Sequence, residues 1–114
     1  MKASLLLFLL LFFFVKANGQ EKVELYYNAN WEITKKEKAV YTREAELDLE
    51  HFVFNGLVSD FDSAGVKVME GNYTDGKRNG AFTFYFPNGK TEIKGCYQKN
   101  RRIGKWDYFY TKWT

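Results

Sequence analysis

An all-β chain of tandem antiparallel hairpins, joined in one twisted meander sheet, is what three features of the sequence predict. A unit is written twice with a period of 24 residues: Gly71, Tyr73 and Gly80 recur as Gly95, Tyr97 and Gly104. The aromatic residues keep the same register, Phe82, Phe84, Tyr85 and Phe86 falling on Trp106, Tyr108, Phe109 and Tyr110. Between these markers apolar and polar positions alternate with period two, as in an extended chain with one buried face.

Each unit reads as a hairpin with two turns. Phe82, Phe84 and Phe86 are expected on one sheet face together with Trp106, Tyr108 and Tyr110. Pro87, Asn88 and Gly89 form the first turn, Asn88 and Gly89 taking the positive φ of a two-residue connection. The segment from Asp75 to Gly80 is expected as the second turn. A third, fainter copy lies upstream, with Gly56 matching Gly80, Phe61 matching Tyr85 and Gly65 matching Gly89, so Asp62, Ser63, Ala64 and Gly65 take the slot of the Pro87 turn. Units therefore start near residues 47, 71 and 95, with Asn55 and Gly56 expected as the turn of the first. A hairpin of 24 residues buries too little apolar surface to offset the cost of ordering it, so the units must share a sheet.

The segment preceding the array divides in two. Residues 1–19 have the layout of a secretory signal peptide: Lys2, an eleven-residue apolar run from Leu5 to Val15, then the small residues Ala17 and Gly19 around Asn18. That run is too short to cross a bilayer, which needs about 20 residues. The expectation is an exported protein, periplasmic or extracellular. Residues 20–50 carry leader strands, with Val23, Leu25 and Tyr27 alternating, Val40 to Leu47 extended, and Lys35 to Lys38 as a loop with some helix-forming character. The repeat array occupies residues 51–114.

Without its leader the chain has 15 basic and 14 acidic side chains, so overall charge does not argue for a polyanion partner. The charge is uneven, however: residues 21–70 sum to −5 and residues 71–114 to +6. One cysteine, Cys96, excludes an internal disulfide, and alternation from Tyr97 predicts a half-buried thiol on the opposite face. One histidine, His51, with Asp48 or Asp60 as its partner, is the thin basis for acid–base chemistry, and no catalytic residue is assigned. One histidine and one cysteine fall short of a zinc site, so neither metal nor cofactor is expected. Gly89, Lys90 and Thr91 imitate a phosphate loop, but Phe84 stands where its first glycine belongs. Asp60, Asp62 and Gly65 imitate a calcium loop, with Gly71 at the place of the bidentate acid.

The pattern Gly71, Tyr73, Gly76, Gly80, Phe82, Tyr85, Asn88, Gly89, then Gly95, Tyr97, Gly104, Trp106, Phe109, Tyr110, resembles the MORN repeat variant found in the YwqK-like antitoxin family. Trp31, Ala39, Tyr41 and Arg43 are similar to the segment that precedes such repeats in small exported bacterial proteins. The resemblance implies a non-catalytic scaffold for contact with a protein, an envelope component or a membrane surface, or alternatively neutralisation of a partner toxin. Nucleic acid is not expected. The candidate binding face is Phe82, Phe84, Phe86, Trp106, Tyr108 and Tyr110, flanked by a candidate basic turn of Arg101, Arg102 and Lys105. Eleven aromatics within residues 71–114 exceed what a thin sheet buries, which directs the binding expectation to that face.

Overall fold

Period-two alternation along most of the chain gives strands, and short turns between them give antiparallel neighbours. The computed structural model describes residues 13–15 and 19–111. It contains β1 (Phe13–Val15), β2 (Gln20–Tyr27), β3 (Tyr41–Asp48), β4 (Val53–Asp62), β5 (Lys67–Thr74), β6 (Lys77–Tyr85), β7 (Thr91–Gln98) and β8 (Arg101–Tyr108). Their order in the single open sheet is their order in the chain, and every pairing is antiparallel. The expected leader peptide lies outside the described residues except for Gly19 and the three residues of β1. The basic loop before β3 holds a single 3-10 turn, Lys36–Lys38.

Two kinds of connection alternate, and both follow the 24-residue period. At one end Asp62 N–H donates to the Val66 carbonyl (2.9 Å) and Gly65 N–H to the Asp62 carbonyl (3.0 Å). One period later Phe86 N–H donates to Lys90 (2.7 Å) and Gly89 N–H to Phe86 (2.8 Å). These are three-residue loops, so the two-residue turn expected at Asn88 and Gly89 is not formed. Only the glycines, at φ +83° and +88°, take the left-handed conformation. Asn88 instead accepts Lys90 N–H on its Oδ1, at 2.9 Å.

At the other end the tips are tighter than the sequence suggests. Asp75 and Gly76 alone make the turn between β5 and β6, and Lys99 and Asn100 make the next. Lys77 to Gly80, expected as turn, is already strand, and so are Asn55 and Gly56. The glycines read there as turn formers sit inside strands instead, Gly56 at φ +125° and Gly80 at φ +109°. The pairing with the previous strand shifts register between Gly71 and Tyr73, and a bulge of this kind requires that conformation. The first tip, residues 49–52, is two residues longer than the later ones. As a result Val58 faces Ala45, whereas Phe82 faces Gly71.

Successive hairpins are tied together at these tips. Asp75 N–H donates to Asn55 Oδ1 and Lys99 N–H to Asn79 Oδ1, each at 3.2 Å. Gly76 N–H meets the Phe54 carbonyl at 2.8 Å, and Asn100 N–H meets that of Arg78 at 2.9 Å. All four pairs obey the same 24-residue translation.

The core occupies one face. Val23 and Leu25 of β2, Ala45 and Leu47 of β3, Val58 of β4, Met69 of β5 and Phe82 of β6 form a single buried cluster. Leader strands thus supply four of its seven members and belong to the same packing unit as the array. Within the array Phe82 and Trp106 each lie over a glycine. A Cβ built on Gly71 would lie 2.3 Å from the Phe82 ring, and one on Gly95 would lie 2.2 Å from the Trp106 ring. Flat packing of a ring on backbone needs glycine there. Replacing Gly71 with alanine is therefore expected to destabilise the protein by about 1 to 3 kcal/mol, the usual cost of overpacking. A urea unfolding midpoint unchanged by Gly71→Ala would contradict this packing.

Candidate binding face

The rings laid on glycine also touch one another edge to face, and this chain of contacts crosses five strands. Phe54 and Tyr73 have centroids 5.6 Å apart, Tyr73 and Phe82 5.7 Å, Phe82 and Tyr97 4.9 Å, and Tyr97 and Trp106 5.1 Å. Such tilted geometries suit the ring quadrupoles. Phe84 joins the row beside Phe82 at 6.4 Å.

At the N-terminal end of this row sits a buried ion pair. Arg43 Nε donates to Asp60 Oδ1 at 2.7 Å and Nη2 to Oδ2 at 2.9 Å, a bidentate fork. The rings of Phe54, Tyr27, Trp31 and Tyr73 surround the guanidinium at 5.2, 5.4, 5.9 and 6.0 Å. Trp31, at φ +61°, folds back to stack on Tyr41 at 4.2 Å and roofs the site. Burial works against the Arg43 charge, but the hydrogen bonds and charge of Asp60 outweigh it and push the pKa above the ordinary arginine value. Burial likewise raises the Tyr27 hydroxyl, opposed by Arg43. An open depression of about 410 Å³ lies over this end, lined by Trp31, Arg43, Asp60, Tyr73 and Phe84 among others. With two of its N–H donors on Asp60, Arg43 forms part of the floor of the depression.

Two other arginines rest on rings of this face. Arg78 lies 4.7 Å above the Tyr97 ring and donates to its hydroxyl at 3.4 Å. Arg102, one period on, lies 3.8 Å above Trp106 and donates to the Tyr108 hydroxyl. Neither guanidinium meets a carboxylate among the described residues. The sequence marks this pair through the period itself, Arg78 and Arg102 being equivalent positions.

The residues expected to form the binding face fall into three groups. Phe82, Phe84, Trp106 and Tyr108 share the face, but Phe82 is 1% exposed and is core. Phe86 and Tyr110 lie beyond the ends of β6 and β8, and Tyr110 is 90% exposed. The expected basic turn is likewise corrected: Arg101 and Arg102 open β8 and Lys105 lies within it. Of the three, Arg102 reaches the aromatic face, whereas alternation places Lys105 on the reverse with Asp107, its Nζ 3.6 Å from that carboxylate. Cys96 is exposed rather than half-buried. No family model, curated protein or solved structure matches this chain.

Two sites remain outside this face. A hollow of about 270 Å³ on the reverse side is lined by Lys22, Glu24, Glu44, Glu46, Leu57 and Ser59. His51 stands at the exposed first tip, its Nδ1 3.1 Å from Asp48 Oδ2, so its partner is Asp48 and not Asp60. Among the described residues no group of three His, Cys, Asp or Glu side chains is placed to hold a metal.

Sequence alternation alone did not single out Arg43 and Asp60, although the signal is present. Both stand at inward positions of otherwise apolar alternations, Arg43 before Ala45 and Leu47, Asp60 after Val58. Opposite charges at facing inward positions of neighbouring strands point to a buried pair.

Replacing Arg43 with methionine leaves Asp60 buried without a partner, with an expected loss of about 3 to 5 kcal/mol in urea unfolding. The double variant Arg43→Met, Asp60→Leu should recover most of that loss; a double variant as unstable as the single one would show that the pair does more than satisfy itself. At the tip, the Asp48 hydrogen bond and charge raise the His51 pKa, and the His51 hydrogen bond lowers that of Asp48. The contact is complete below the ordinary histidine pKa and is lost as pH rises through the raised value. As pH falls through the lowered Asp48 value it is lost again. An NMR titration should place His51 above the ordinary histidine range and Asp48→Asn should return it there; equal midpoints would refute the contact.

Proposed function

We propose that this chain is an exported, non-catalytic binding module that contacts a protein or an envelope component through its aromatic and arginine-bearing face. One observation carries the reading: Arg102 lies 3.8 Å above the Trp106 ring with no carboxylate partner among the described residues, beside Tyr108 at 51% exposure. A stacked guanidinium keeps its outward N–H groups available, and aromatic side chains with arginine are the residue types that dominate protein interfaces. The rings beneath are held by glycine and by one another, so a partner meets a surface already ordered. The lone imidazole stands at an exposed tip and lines neither hollow, so it has no enclosed site in which to act on a substrate. The export assignment rests on the layout of residues 1–19. Antitoxin-like neutralisation rests on the repeat resemblance alone.

Capture from an envelope extract tests the proposal. The protein should retain specific partners, and the variant Trp106→Ala, Tyr108→Ala should lose them while remaining folded by circular dichroism. Recovery of the same partners by the double variant would remove this face from the interaction.

A further inference from the structure

We infer that the outer edge of β8 accepts an extended strand from an acidic partner protein, laid antiparallel in the register that β7 keeps on β6. The inference rests on the binding-module reading and names the partner's form and charge.

The repeat shows what belongs at this edge. β6 and β8 are equivalent strands one period apart; β6 lies between β5 and β7, whereas β8 has only β7 beside it among the described residues. On β6, Phe82 is covered from both sides, with Gly71 and Gly95 opposite it and Tyr97 edge-on, and is 1% exposed. On β8, Trp106 is covered by Gly95 from the β7 side and stays half-buried. Among the described residues, four of the nine exposed large apolar side chains, Ile103, Tyr108, Phe109 and Tyr110, belong to β8 or the three residues after it. An edge strand also presents unpaired backbone N–H and carbonyl groups, which a partner strand satisfies.

Charge selects the occupant. Arg101, Arg102 and Lys105 outnumber Asp107, the one carboxylate of β8, and Lys105 beside it is 88% exposed at its side chain. Two copies joined through β8 bring these positive charges together, which disfavours self-pairing. An acidic strand meets the opposite sign. Transposed by one period, the β6–β7 register sets its pattern. A glycine opposes Trp106, as Gly95 opposes Phe82; a branched apolar residue opposes Tyr108, as Ile93 opposes Phe84. An aromatic residue opposes Gly104, as Tyr97 opposes Gly80, and a carboxylate opposes Lys105.

The probe is a synthetic octapeptide of the β7 sequence Thr91–Gln98 carrying Cys96→Glu and Gln98→Glu. Added to the full-length protein, it should bind by calorimetry and slow hydrogen exchange at the amides of β8. Exchanging its three glutamates for lysine should weaken binding about tenfold, the scale of two or three exposed ion pairs. Lys105→Glu, an exposed change that leaves the fold intact, should weaken the acidic peptide and favour the lysine form. Absence of binding, binding without β8 protection, or binding indifferent to the charge changes overturns the inference. So does a dimer of the protein alone with β8 already protected. Envelope partners lost on Trp106→Ala, Tyr108→Ala while the peptide fails would leave the binding module standing and remove only the edge; failure of both removes both.

Discussion

Close approach of an aromatic ring to a glycine backbone is the constraint on which the sheet depends. Among the described residues no second layer covers the apolar face of the sheet, so its own side chains must cover one another. Phe82 and Trp106 do this by lying flat across the strand before them, on Gly71 and Gly95. Lying flat brings each ring within reach of Tyr73 and Tyr97, and the edge-to-face row follows. At the start of the sheet, where Ala45 stands in the small position, the large residue is Val58 and aliphatic packing takes over. The volumes are exchanged in pairs, and the close packing is kept.

The same row explains where charge can be tolerated. Arg43 enters the buried face because Asp60 neutralises it and four rings surround its guanidinium within about 6 Å. Arg78 and Arg102 sit on rings nearer the open end of the sheet, without such a partner among the described residues. One residue type thus has two roles along a single face. In the first half it is paired with a carboxylate, and in the second it rests on rings with none beside it among the described residues.

Hairpin tips contribute the remaining order. Asn55 and Asn79 lie in strands, yet each holds the backbone of the next tip, so the tips at Asp75 and at Lys99 are anchored to the hairpin before them. Tight two-residue tips leave backbone donors outside the strand ladder, and the oxygens of these side-chain amides accept from them. Such nearest-neighbour ties are what let a repeat propagate in one direction.

The period of 24 residues, the alternation within it and the glycines at its turns are local properties, and they determined the strand-by-strand architecture without reference to coordinates. Turn geometry was less legible, because a glycine in a bulge and a glycine in a tip have the same sequence signature; Gly80 and Gly76 show both outcomes four residues apart. The candidate face was legible in Phe84, Trp106 and Tyr108 but not in its depth. Tertiary structure decided that Phe82 is sealed while Tyr108 is open, because burial depends on how many strands flank a residue, and that number is not written in the residue or its spacing. It also decided that Arg43 meets Asp60 across a strand pair, since contact between residues 17 apart is set by the register of β3 on β4.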